Sequence, residues 1–301
     1  MRHRLDMKRY PCCDRCGSSR AVTKAGIRDN LSGGKQMYWC KSCRHRFTPD
    51  DGFKGMRNKP KVIMAALDLY HKGLSSRNIV DHLWQFYGVK VTNTTVLDWI
   101  KKYARLLKRY VNTLKPKVRG RVQADEVFLR KKIRQRRCKG KQPDPAEGKE
   151  FYINWDAIDV ETRYAWSYLS PLRDEESART LYRKVKDHAL EAPQAIVHDG
   201  WPAHTDAFNK YFLHESENIV TTSLGEVASI ERFHSTMKER CKVMRGFSQH
   251  QSASLTMDGW LIYYNYIRRH MALGGSTPAE AAGIDIKPGR NRWQTLILRN
   301  N

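Results

Sequence analysis

Two Cys-x-x-Cys pairs constrain the N-terminal part of this chain more than any other feature. Cys13 and Cys16 form the first pair, and Cys40 and Cys43 form the second. Two such pairs can place four thiolates tetrahedrally around one Zn²⁺. The sequence between them fits two β-strands around the turn Leu-Ser-Gly-Gly at 31–34. The pattern predicts a zinc ribbon over residues 1–52, held by one structural zinc ion.

Three alternatives to this ligand set remain open at the level of the sequence. Cys12 is one residue out of register and competes with Cys13, and His45 is a weaker competitor for the fourth position. The third alternative is a small core with unpaired thiols. A disulfide framework is disfavoured because the chain has seven cysteines, an odd number, and lacks a signal peptide.

The charge of the chain is strongly positive and unevenly distributed. Lysine and arginine number 55 against 31 acidic residues, a net charge of +24. Residues 1–120 hold 27 basic and 8 acidic residues, whereas residues 151–301 hold 18 of each. This asymmetry predicts that the N-terminal half binds nucleic acid. A membrane partner is not expected, because no apolar stretch approaches the roughly 20 residues of a spanning helix and no basic amphipathic anchor is evident.

Residues 53–117 have the apolar period of three helices. The second helix is expected to start at Ser75 or Ser76 and to bury Ile79, Leu83 and Phe86. The third helix carries the basic residues proposed to contact DNA, which are Lys101, Lys102, Arg105, Lys108 and Arg109. The arrangement predicts a helix-turn-helix domain whose third helix enters the major groove. A helical linker with a solvated basic face is the alternative.

From about residue 118 the pattern becomes α/β, in the order three strands, helix, strand, helix, strand, helix. This order predicts a ribonuclease H-like domain over residues 118–283, with a mixed five-stranded sheet and flanking helices, followed by a C-terminal tail at 284–301. Asp125 lies in the first strand and Asp199 ends an apolar strand. Glu231 lies on the last helix and shares a face with His234 and Lys238. Open sheets bind ligands at the carboxyl ends of their strands, which favours a common site.

Three sequence blocks resemble the catalytic blocks of insertion-sequence DDE transposases, most closely insertion-sequence family six. They are Asp125-Glu126, His198-Asp199-Gly200 and the segment 230–240, which reads Ile-Glu-Arg-Phe-His-Ser-Thr-Met-Lys-Glu-Arg. The resemblance implies an enzyme that cleaves the ends of a DNA element and transfers the strands to target DNA.

The site and partners of this chain are also implied by the resemblance. Asp125, Asp199 and Glu231 would be the catalytic residues and would hold two Mg²⁺ or Mn²⁺ ions. His234, Lys238 and Arg240 would contact DNA phosphates. The expected partners are double-stranded DNA, at the element ends and the target, and further copies of the chain in a homodimer or larger synaptic complex. The expected location is the cytoplasm and nucleoid of a prokaryotic host.

Two other functions remain open. A domesticated DNA-binding regulator would keep the transposase fold without transposing, and a stand-alone nuclease would cut DNA without joining it.

The basic loop at 130–141 is interpreted as a solvated loop that also touches DNA.

Overall fold

The structure is a computed structural model that describes residues 10–30, 33–132, 151–221 and 223–299. The described residues divide into two compact units, one that ends at Met64 and one that starts at Ala65. From residue 133 onward, the predicted basic loop lies outside the described residues. Within the described ranges, no helix is both long and apolar enough to cross a bilayer.

The first unit contains a three-stranded antiparallel sheet. Its strands are β1 (Val22–Arg28), β2 (Lys35–Cys40) and β3 (His45–Phe47), with β2 in the centre. The two predicted strands are confirmed, and β3 is an addition. The buried core of this sheet consists of Cys13, Val22, Cys40 and Phe47. Because two of these four residues are predicted zinc ligands, the ribbon has very little apolar core of its own.

Three helices follow, namely α1 (Pro60–His71), α2 (Ser76–Tyr87) and α3 (Asn93–Val111). Ser75, rather than Ser76, caps α2, because its side chain accepts a hydrogen bond from the backbone N–H of Asn78 at 3.1 Å. Ile79 and Leu83 are buried as expected. The expectation for Phe86 is wrong: it is 70% exposed. It lies in the last turn of α2 and stacks on His82 with ring centroids 4.5 Å apart instead of entering the core.

The second unit is built on a five-stranded mixed sheet. In chain order its elements are β4 (Arg121–Arg130), β5 (Phe151–Asp159), β6 (Ala165–Ser170), α4 (Glu175–His188), β7 (Ala195–His198), α5 (Pro202–Tyr211), β8 (Glu217–Val220) and α6 (Ala228–Met244). The strand order is β6-β5-β4-β7-β8. The three N-terminal strands are antiparallel, and β7 and β8 run parallel to β4. This is the topology of a ribonuclease H-like domain, as predicted.

The C-terminal part adds α7 (His250–Ile262), which continues into a π-helical turn (Tyr263–Ile267), then α8 (Pro278–Ala281) and α9 (Arg292–Arg299). Asn265 in the π-helical turn binds the outer edge of β6, where its amide accepts from the N–H of Ala165 at 3.0 Å and donates to the carbonyl of the same residue at 2.8 Å. The segment 284–301, expected to be a tail, contains the helix α9. Its helix α9 buries Trp293, whose indole N–H lies 3.3 Å from Asp68 of α1.

Helix α3 is also part of the second unit. One face of it is buried, and the helix packs against α7 and α9. The Lys108 ammonium lies 2.7 Å from the Asp258 carboxylate of α7. The predicted recognition helix is thus attached directly to helices of the second unit.

Candidate active site and metal centres

Asp125 and its neighbour Glu126 point to opposite faces of β4, as alternation along a strand requires. Asp125 is partly buried on the face that packs against α6, where its carboxylate lies 3.6 Å from Nδ1 of His234. Glu126 is almost fully buried on the other face. Its carboxylate lies 3.2 Å from His204 Nε2 and accepts from Arg173 Nε at 2.6 Å. Glu126 is therefore committed to structural ion pairs, and Asp125 is left for the site.

The pairing of β4 with β7 places Asp199 beside Asp125. Strands β4 and β7 are parallel neighbours in which Gln123 pairs with Val197. Asp125 and Asp199 each follow two residues later, so they lie side by side at the end of this strand pair. Burial raises the pKa of Asp125, the charge of His234 lowers it, and the Glu126 and Asp199 carboxylates raise it further. The carboxylates around Asp125 thus repel one another, and a cation bound beside Asp125 would reduce this repulsion.

The loop that carries Asp199 has a fixed conformation. The ring of His198 accepts a hydrogen bond from the Gly200 N–H at Nδ1 (3.1 Å) and donates from Nε2 to Asn218 Oδ1 (2.8 Å). Burial lowers the pKa of His198, which favours this neutral tautomer. Gly200 has φ of +82°, and a Cβ there would lie 2.6 Å from the Val220 side chain. Only glycine fits this position, which holds Asp199 exposed at the strand end.

Glu231 is exposed in the first turn of α6, and β4 itself fixes where that helix starts. Gln123, two residues before Asp125 on the same face, accepts from the backbone N–H of Ile230 at 2.9 Å and donates to the carbonyl of Glu226. The strand that carries the first carboxylate therefore also positions the helix that carries the third. Sequence reasoning missed Gln123. The available signal was a polar residue between the apolar Val122 and Ala124, at the second position before Asp125.

The three carboxylates do not form one tight cluster. Among the residues that the structure describes, the four cysteines are the group whose metal-ligand atoms all lie within 4.8 Å of one another. Carboxylates that serve two ions about 3.5–4 Å apart need not approach each other so closely. The arrangement that the structure provides is a set of three carboxylates on two neighbouring strands and the helix anchored to them.

The residues predicted to contact DNA fall into separate environments. On α6, Lys238 is exposed, whereas His234 is buried between Asp125 and Asp156. The expectation that Arg240 faces DNA is wrong, because it is 4% exposed and lies over the Tyr70 ring at 4.0 Å. Its spacing from the buried Ile230, Phe233 and Met237, in steps of three and four, puts it on the inner stripe of the helix.

On α3, the predicted basic residues are also not equivalent. Arg105 and Arg109 are exposed, and Lys101 and Lys102 are partly exposed. Lys108 is engaged by Asp258 and is therefore not free in the way the sequence suggested. The side chains of all five basic residues are at least partly exposed, although that of Lys108 is paired with Asp258.

The N-terminal cysteines come together as predicted. The Sγ atoms of Cys13 and Cys43 are 3.6 Å apart, and those of Cys16 and Cys40 are 3.5 Å apart. Tetrahedral coordination with Zn–S bonds of about 2.3 Å requires sulfur–sulfur distances of about 3.8 Å. Cys12 is exposed and lies outside this cluster, and His45 pairs with Asp14 at 3.1 Å. The chemistry and spacing of this donor set fit a structural zinc ion.

Residues 146–270 match the family model of a DDE domain of the IS240 transposase type. The matched segment contains Asp199 and Glu231, and Asp125 lies on the strand before it. The sheet order defines a ribonuclease H-like domain, and residues 146–270 are similar to the DDE domain of transposases.

Solved structures with a remote likeness include retroviral integrases. The catalytic core of HTLV-2 integrase in complex with magnesium (trimeric form) is 11% identical, with 56% of this chain and 99% of that chain covered and a TM-score of 0.40. The catalytic core of BIV integrase is 16% identical, with 54% and 93% covered and a TM-score of 0.38.

A third structure is the simian T-cell lymphotropic virus intasome in complex with the PP2A regulatory subunit B56 gamma. It is 12% identical, with 75% of this chain and 76% of that chain covered and a TM-score of 0.40. No curated protein sequence matches the chain. Likeness at these scores is too remote to assign an activity, and the fold assignment rests on the sheet order.

Proposed function

We propose that this chain is the DNA transposase of an insertion sequence, which cleaves the ends of its element and transfers them to target DNA. The observation that carries the proposal is the placement of the three carboxylates on two neighbouring strands and the helix anchored to them. Asp125 and Asp199 lie at the same level of two parallel strands, and Gln123 anchors the helix of Glu231 to the strand of Asp125. Carboxylates in this arrangement suit hard divalent cations.

Each carboxylate has a distinct part in metal binding. Asp125, partly buried and closest to the other groups, would be the ligand shared by two Mg²⁺ or Mn²⁺ ions. The exposed Asp199 would hold one ion and Glu231 the other. When bound, such ions activate the attacking oxygen and stabilise the leaving oxygen of a phosphodiester. The attacking groups would be water in end cleavage and the freed 3′-hydroxyl in strand transfer, so no covalent protein nucleophile is needed.

Binding and positioning of DNA would fall to separate parts of the chain. Lys238 is exposed two turns beyond Glu231 and can contact a phosphate near the site. The helices up to Val111 would form the helix-turn-helix domain that binds double-stranded DNA, through basic residues of α3 that are exposed or partly exposed. Because α3 packs on α7, DNA bound there would be held in a fixed relation to the second unit.

The cysteine cluster would hold one structural Zn²⁺ through Cys13, Cys16, Cys40 and Cys43. Two element ends must be brought together for transposition, so we also propose a homodimer or larger assembly on DNA. The site of action would be the nucleoid of a prokaryotic cell. The regulator alternative would be favoured by loss of a carboxylate, and all three are present.

The proposal is tested with Asp199→Asn, which preserves shape and removes one negative charge. Wild type should cleave DNA that carries the element ends in the presence of Mg²⁺, whereas Asp199→Asn should bind the same DNA normally and fail to cleave it. Asp187→Asn is the matched control, since Asp187 is exposed on α4 away from the carboxylates. Wild type that binds but does not cleave, with Mg²⁺ or Mn²⁺, would support the regulator instead.

A further inference from the structure

Asp156 is a buried carboxylate at the candidate site that the proposed chemistry does not use. It lies on β5 directly opposite Asp125 of β4, on the same face of the sheet, and its side chain is completely buried. Buried carboxylates are costly unless donors surround them. Here Oδ1 accepts from Asn154 Nδ2 at 2.7 Å and from Ser167 Oγ, and Oδ2 lies 3.1 Å from His234 Nε2.

The hydrogen bond to Asp156 determines how the ring of His234 is oriented. With Nε2 directed at Asp156, the opposite ring nitrogen, Nδ1, lies 3.6 Å from Oδ2 of Asp125. The imidazole therefore bridges two carboxylates that face each other across neighbouring strands. His234 lies one turn after Glu231 on α6, so its contact with Asp156 also connects the N-terminal part of that helix to β5.

Two features separate this bridge from ordinary core packing. First, Asn154 and Ser167 both donate to Oδ1, which leaves Oδ2 for His234, so the carboxylate is held in one orientation. Second, the contact on the far side of the ring is with a proposed metal ligand, not with another core group. A partner that fixes a ligand's neighbour in this way acts on the metal site without touching it.

We propose that Asp156 is a positioning residue of the metal site: it orients the ring of His234 against Oδ2 of Asp125, so that the other oxygen of Asp125 is presented to a cation. This inference rests on the proposed function, because it assumes that Asp125 binds a divalent cation. The inference adds Asp156 to the site. It also gives His234 a role beside Asp125, whereas the sequence resemblance implied only a contact between His234 and a DNA phosphate.

The inference is tested by the affinity of the full-length protein for Mn²⁺ alone, with the free ion measured by electron paramagnetic resonance. Asp156→Asn keeps the size of the side chain but disrupts its hydrogen bonds with Asn154, Ser167 and His234. It should weaken Mn²⁺ binding about tenfold, the lower end of the effect of losing a residue that orients a metal ligand. Asp125→Asn gives the baseline without the shared ligand. Thermal unfolding of each variant is measured in parallel.

A second variant distinguishes positioning from a merely structural role. His234→Asn can place its amide near the position of Nδ1, beside Asp125, without needing Asp156. If Asp156 acts through the ring of His234, Asp156→Asn should weaken Mn²⁺ binding in wild type and have no further effect in His234→Asn. Equal weakening in both backgrounds, or normal Mn²⁺ affinity in Asp156→Asn, would overturn the inference.

Should Asp156→Asn fail to fold, His234→Gln tests the same link. Gln keeps an amide near the position of Nε2, and so keeps the bond to Asp156, but loses the group that faces Asp125. Weaker Mn²⁺ binding in His234→Gln supports the bridge, and unchanged binding contradicts it. If wild type and Asp125→Asn bind Mn²⁺ equally, it is the proposed metal site that fails, and the inference fails with it.

Discussion

Replacing Cys43 with serine removes one thiolate of the N-terminal cluster, and the structure indicates how large the effect should be. Beside the cysteines, the fully buried core of this sheet consists, among the residues that the structure describes, of Val22 and Phe47, with Tyr10 and Tyr38 partly buried against it. Burial of two such side chains contributes about 1.5–3 kcal/mol each. A structural zinc ion of this type contributes roughly 10–16 kcal/mol. The ion therefore outweighs the apolar core, and Cys43→Ser should unfold the ribbon while the second unit stays folded.

The assay combines metal analysis with limited proteolysis of the full-length protein. Wild type should contain about one zinc per chain and resist cleavage between residues 10 and 47. Cys43→Ser should lose the zinc and be cut in that segment, with the thermal transition of the second unit unchanged. Cys12→Ser, outside the cluster, is the matched control and should retain zinc. Freshly purified wild type without zinc, or equal zinc loss in both variants, would refute the reasoning.

Three further predictions follow from the second unit. Replacing Lys101, Lys102 and Arg105 with alanine should weaken DNA binding by the full chain, and the slope of log K against log salt should become shallower by about 0.9 for every phosphate that is no longer neutralised. His71→Phe should remove part of the acid sensitivity of folding, because burial and then the Arg240 charge lower the pKa of His71 to about 3. As pH falls from the ordinary pKa of about 6.5 to pH 5, the free energy of unfolding of wild type should therefore fall by about 2 kcal/mol. Denaturant titrations at each pH should show a smaller decrease in the variant. Gly200→Ala should impair Mg²⁺-dependent cleavage without affecting DNA binding, because the new Cβ meets Val220 at 2.6 Å and displaces the loop of Asp199.

Each of these has a control or an outcome that contradicts it. Lys210→Ala removes one exposed lysine from α5 and should leave the salt slope unchanged. A wild-type acid limb in His71→Phe would show that His71 is already charged in the folded protein or is not buried. Full cleavage by Gly200→Ala would mean that the conformation of this loop does not matter to the site.

Local patterns predicted the elements of this fold well, and long-range packing accounts for what they missed. The strands around Asp125 and Asp199 and the helix of Glu231 follow from apolar period and turn residues, so the elements that carry the three carboxylates were predicted correctly. The inward direction of Arg240 depends on a spacing of three and four from Met237 and Phe233 that was visible in the sequence. The expectation for Arg240 followed instead from the resemblance of segment 230–240 to a transposase block.

Other features were beyond sequence reasoning because they join distant segments. The bond between Gln123 and the start of α6 connects residues more than 100 positions apart. Asp156 resembles any acidic residue within a strand until β5 is paired with β4 and His234 packs against that pair. The segment expected to be a tail contains a helix because Trp293, Leu296 and Ile297 form a short apolar stripe, whose partner surface exists only after the domain has folded.

The central claim, that the three carboxylates form a metal-dependent DNA-cleaving site, is tested most directly by Glu231→Gln. Wild type, Glu231→Gln and the control Glu239→Gln, which changes an exposed residue two turns away on the same helix, are compared in Mg²⁺-dependent cleavage of end-containing DNA. The account predicts that Glu231→Gln cleaves on the order of a thousandfold more slowly, about 4 kcal/mol of transition-state stabilisation, with unchanged DNA affinity and a normal rate in Glu239→Gln. Equal cleavage by wild type and Glu231→Gln would remove Glu231 from the site and contradict the account.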